Sequence, residues 1–212
     1  MSDLMSSRFR ATVVTVAPAA LGAALLWHPH IPGRLPNETA VGAAAAAGTT
    51  RWGLAHLAAA VASALVMLAF VAIRSYLREA GEGRWSAVGL PFIIMGSTLF
   101  AVLPGMEFTP LAAVKVGTDP RAAQAALEPW FVPVGVISGV LFALGVLAFS
   151  KAIADSAILS GALRGIVIAA LIVLAASRLV PFAAAQFYVQ SAAVLIALWP
   201  LAYRMWTQAS EA

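Results

Sequence analysis

Few side chains in this sequence are able to do chemistry, and three of them are histidines: His28 and His30, which flank Pro29, and His56. A residue before proline is held to an extended backbone, and in an extended segment residues i and i+2 project to similar sides. His28 and His30 are therefore expected to present two imidazoles together, as a chelating pair. His56 lies one turn into the following apolar segment, and Glu107 emerges from the end of the one after that. Three imidazoles and one carboxylate suit a first-row divalent metal such as zinc, and Met106 beside them admits copper. A haem held between His56 and either His28 or His30 uses the same residues, and their spacing does not separate it from a single ion. The sequence contains neither His-Glu-x-x-His nor paired His-x-x-x-His, so a purely hydrogen-bonded role for the histidines is the competing reading.

Arg178 is the second chemical feature. It lies fourteen residues beyond Arg164, about 21 Å further along a helix, and still inside an apolar run. An arginine at such depth faces the bundle interior, pairs with an acid or lines a cavity. Glu107 and Glu128 are the acids expected to pair with it, in a pocket that Gln186 and Tyr188 also help to line. The plain alternative is an Arg178 that reaches back to the headgroups along its own apolar stem. Cysteine is absent, which removes disulfides, thiolate metal sites, iron–sulfur clusters and thiol redox chemistry.

The elements that hold these residues follow from composition. Of 212 residues, 62% are hydrophobic and 10% charged, against roughly 25% charged in a soluble domain. So little charge cannot cover a water-exposed surface, and the chain reads as a polytopic membrane protein in contact with the lipid bilayer. A nucleic-acid binder is excluded despite a net charge of +4. Crossing a hydrocarbon core of about 30 Å takes about 20 apolar residues. Six runs qualify, at residues 11–27, 52–73, 85–103, 130–149, 165–180 and 185–203, and all six tryptophans fall near their ends, where indoles favour the headgroup layer. The predicted fold is an all-α bundle of six transmembrane helices, forming a single membrane domain over residues 1–212.

Arg8, Arg10, Arg74, Arg78, Arg84, Lys151, Arg164 and Arg204 fall on one side of these spans, and Arg34, Arg51, Lys115 and Arg121 on the other. That bias predicts cytoplasmic N- and C-termini. The alternative at the N-terminus is a cleaved signal peptide over residues 1–19, disfavoured because the apolar run continues through Trp27. Arginine far outnumbers lysine among Ala-rich stretches, which points to a bacterium with a GC-rich genome and hence to its cytoplasmic membrane. The two longer connections, residues 28–51 and 104–129, are expected on the outer side, where a protein partner can dock. Residues 40–47, nearly all alanine, read either as a short interfacial helix or as a low-complexity spacer.

The spans carry no Asp or Glu near their centres, which disfavours an ion-coupled transporter. Two function classes remain: an outward-facing His/Glu metal or haem site with redox or hydrolytic chemistry, and a non-catalytic accessory, sensor or carrier protein.

Overall fold

The computed structural model describes residues 2–211, with side chains described over 7–210. Among the described residues the chain forms helices α1 (Ser2–Trp27), α2 (Glu38–Ala47), α3 (Thr49–Glu79), α4 (Arg84–Met106), α5 (Phe108–Lys115), α6 (Pro120–Asp155), α7 (Gly161–Leu179) and α8 (Gln190–Glu211), with a π-helical segment, Ala185–Val189, leading into α8. Six helices, α1, α3, α4, α6, α7 and α8, are long and apolar enough to cross a membrane. The protein is thus an all-helical six-helix bundle and an integral membrane protein.

The six long helices close a ring in chain order: each packs against the next, and α8 returns to α1. Short connections make sequential helices antiparallel neighbours, which produces this order. The ring is filled by side chains from its inner faces. Phe70 of α3 meets Phe142 and Phe149 of α6 edge to face, with ring centroids 6.1 and 4.9 Å away. Between α4 and α6 the approach is closer than side chains on both helices allow. A Cβ on Gly96 would stand 2.6 Å from the backbone nitrogen of Phe142, and one on Gly145 would stand 2.8 Å from that of Ile93. Two serines tie α4 to its neighbours: the Ser63 hydroxyl of α3 donates to Ser97 O and that of Ser138 of α6 to Gly96 O, at 2.8 and 2.9 Å.

Helix ends depart from the sequence reading at the second long connection. Residues 104–129 are almost entirely helical, because α4 runs through Pro104, α5 follows at once, and α6 begins ten residues before Trp130. Asp119 starts α6 by accepting the Arg121 N–H at 2.9 Å, and Pro120, at the first helical position, lacks only an N–H that would have had no helical partner. In the first connection, Asn37 caps α2 by accepting from Ala40 N at 3.0 Å, so the alanine run is a helix and not a spacer. The chain before α2 is strapped to the chain after α7: Leu35 N–H donates to Pro181 O at 2.9 Å and Ala183 N–H to Gly33 O at 3.1 Å. A second small core of Ile31, Val41, Ala45, Trp52 and Ala183 fixes this end of the bundle. The opposite end carries both termini, an Arg10–Glu79 ion pair at 2.6 Å and a Lys151–Asp155 ion pair.

Candidate functional site

At the strapped end the helices enclose a partly open, mainly apolar chamber of about 240 Å³. His28, His56, Glu107, Gln124, Arg178 and Gln190 bring its chemically active groups.

His28 directly follows α1, and its N–H closes that helix's last turn by donating to Ala24 O at 3.1 Å. The exposed end of that helix is covered by Arg51, which donates to Trp27 O at 3.1 and 2.9 Å. From there the His28 imidazole reaches inward, stacks on Phe187 of the π-helical segment with centroids 4.6 Å apart, and brings its Nε2 to 3.2 Å from Nε2 of His56. Each ring is held by its other nitrogen: Nδ1 of His28 donates to Pro29 O and Nδ1 of His56 to Trp52 O, both at 2.7 Å. A carbonyl only accepts, so both Nδ1 atoms carry protons and both Nε2 atoms carry lone pairs when the rings are neutral. Burial pushes the His28 pKa down to about 4; the Pro29 carbonyl opposes this and Arg51 adds to it, so the ring is neutral at pH 7.

His30 does not join this pair. Burial alternates after α1: Pro29 and Ile31 are buried, and His30 between them turns outward to an exposed contact, 3.4 Å from the Tyr188 hydroxyl. The expected pairing of His28 with His30 fails because His28 closes the last turn of α1 and reaches inward, while His30 lies exposed between two buried neighbours. Glu107 lines the chamber, but its Oε1 accepts from Gln124 Nε2 at 3.3 Å and its Oε2 has no partner. Among the described residues, no three His, Asp or Glu side chains gather into a metal-holding group, so the four-ligand set is not assembled. Nor does a porphyrin plane fit between His28 and His56 at their separation, so they are not arranged as the two axial ligands of a haem.

Arg178 is buried and faces inward, as its depth predicted, but the expected ion pair is absent: neither Glu107 nor Glu128 forms a salt bridge with it among the described residues. Its guanidinium carbon lies instead over the rings of Phe142 and Phe100, 3.6 and 4.2 Å from their centroids, and Nε, Nη1 and Nη2 have no hydrogen-bond partner. Of the residues expected around it, Gln186 lines the chamber and donates to Val180 O at 3.3 Å, whereas Glu128 and Tyr188 lie outside the lining.

No family model, curated protein or solved structure matches the chain.

Several contributors escaped the sequence reading. Trp52, taken for a headgroup anchor, is 1% exposed and donates from Nε1 to Glu107 O at 2.8 Å. Gln190, fully buried with both amide atoms unpartnered, was legible in principle as the one amide deep in the last apolar run. Gln124 carried no such signal, because its segment read as a loop.

Proposed function

We propose that this membrane protein binds a first-row metal ion, zinc or copper, through His28 and His56 in the lining of the chamber. The observation that carries the reading is the orientation of the two rings. With both Nδ1–H groups committed to carbonyls, two Nε2 lone pairs stand 3.2 Å apart, and such lone pairs repel unless a cation answers both. The separation is close to the edge of a tetrahedron of nitrogens about 2.0–2.1 Å from its centre. Carbonyl acceptors on the far nitrogens are also the usual second layer around metal-bound imidazole. Two protein ligands leave coordination positions open to the chamber, as a hydrolytic or redox centre requires. The same feature favours a second reading, a carrier or sensor that gives up its ion to a partner at the strapped end, since two ligands hold less firmly than four. The bias of basic residues supports placing that end on the outer face of a bacterial cytoplasmic membrane.

The test is metal analysis of detergent-solubilised protein after loading with zinc or copper(I) and removal of excess. About one ion per chain is expected for the parent and for His30→Ala, and none for His28→Ala or His56→Ala. Equal loading of all four proteins, or none in the parent, rejects the reading.

A further inference from the structure

Arg178 brings to the bundle interior a buried guanidinium that the histidine site leaves unused. Arginine keeps its charge in proteins, and its planar fork presents five N–H donors. Here that fork lines a chamber, 6% of the residue is exposed, and all three nitrogens lack an acceptor. The phenyl faces of Phe100 and Phe142 offset part of the desolvation but accept no ordinary hydrogen bond. Gln190 adds an unpartnered amide to the same lining. A buried cation with idle donors in a partly open cavity is built to meet an anion.

The exposed residues in the chamber's lining mark where it opens to the side. A Cβ on Gly139 would stand 3.1 Å from Arg178 O, so α6 and α7 touch there. Toward the strapped end from that contact, Val136 and Val132 of α6 line the chamber and are 58% and 39% exposed, as is Leu179 of α7 at 49%. These exposed rim residues are apolar and belong to, or end, membrane-crossing helices, so this side of the chamber faces lipid.

We propose that Arg178 receives the head of an amphiphilic carboxylate, a single-chain apolar acid that comes from the bilayer between α6 and α7. One carboxylate matches one guanidinium in charge, and its two oxygens match the fork. A dianionic phosphate would leave excess negative charge beside the single guanidinium. At about 240 Å³, below the roughly 300–1,000 Å³ of sites for drug-sized ligands, the chamber holds the head and first carbons while the chain lies in the side opening. The inference rests on Arg178 and the opening and does not require a cation at the histidine pair.

The experiment is calorimetric titration of the full chain in phosphatidylcholine nanodiscs, corrected against empty discs, with decanoate, decanol, decyl phosphate and propionate. Decanoate is expected to bind one per chain, about tenfold or more tighter than decanol, and Arg178→Gln is expected to bring the two together. Equal affinity for decanoate and decanol in the parent overturns the proposal, and that comparison decides alone if Arg178→Gln does not fold. Preference for decyl phosphate overturns the carboxylate assignment. Propionate binding as tightly as decanoate overturns the route from lipid, as does Val136→Trp, which narrows the opening, leaving decanoate affinity unchanged.

Discussion

At the scale of single residues the indole of Trp52 ties the site together. Its Nε1 donates to Glu107 O, its own carbonyl holds Nδ1 of His56, and its ring lies 4.4 and 5.5 Å from the rings of His56 and His28. These three roles separate under substitution. Trp52→Phe keeps the backbone carbonyl and most of the ring surface but deletes the buried N–H donor, so it is expected to cost about 1 kcal/mol of stability while leaving metal stoichiometry unchanged. Trp52→Ala also empties a site that is 1% exposed and is expected to cost about 3–5 kcal/mol. Unfolding of the solubilised protein in a denaturing detergent measures both. Equal stability of the parent and Trp52→Phe would show that the indole bond to Glu107 contributes nothing. Arg178 makes the complementary point: its inward orientation was legible in its depth along the fifth span, yet its lack of a counter-ion was not. Sequence gives a residue's depth along its own helix but not the rotation of neighbouring helices, which places Phe100 and Phe142 at the guanidinium and leaves the acids away from it.

Helix rotation is set by close contacts, and the tightest of them is at Gly96. A methyl there would press into the backbone of Phe142, 2.6 Å from its nitrogen, where no side-chain rotation relieves the clash. Gly96→Ala is therefore expected to push α4 from α6 and cost about 1–3 kcal/mol or more, despite alanine's better helix propensity. Gly105→Ala meets nothing within 4 Å, so propensity alone operates and the change is expected to be neutral or slightly stabilising. Thermal melts of the two variants beside the parent check the contrast, and equal shifts would contradict this account of the α4–α6 crossing. The six spans themselves were legible because apolar length is a one-dimensional property. Their ends were less so: prolines 104, 129 and 133 sit within helices here, where the sequence reading took the first two for helix boundaries. The meeting of His28 with His56 followed from the adjacency of consecutive spans. The departure of His30 did not, because it depends on the burial of Ile31 in a core assembled from four separate parts of the chain.

For the whole molecule the closed ring constrains topology. Helices that follow one another around a ring alternate in direction, so the α3–α4 connection and the α5–α6 connection must lie at opposite ends, the first with the termini and the second with the chamber. The absence of native cysteine makes this directly measurable, because any introduced thiol is the sole target of a maleimide. Gly81 and Gly117 adopt left-handed backbone conformations, with φ of 88° and 75°, and are poor places for a side chain. Their exposed neighbours Ala80 and Val116 serve instead. With eight basic residues outside the spans on the terminus side and four on the chamber side, Val116→Cys is expected to react with a membrane-impermeant maleimide in intact cells, and Ala80→Cys only after the membrane is opened. Labelling of both in intact cells would break the ring order. Labelling of Ala80→Cys alone would keep the ring but turn the chamber to the cytoplasm, so the ion proposed for His28 and His56 would then come from the cell interior.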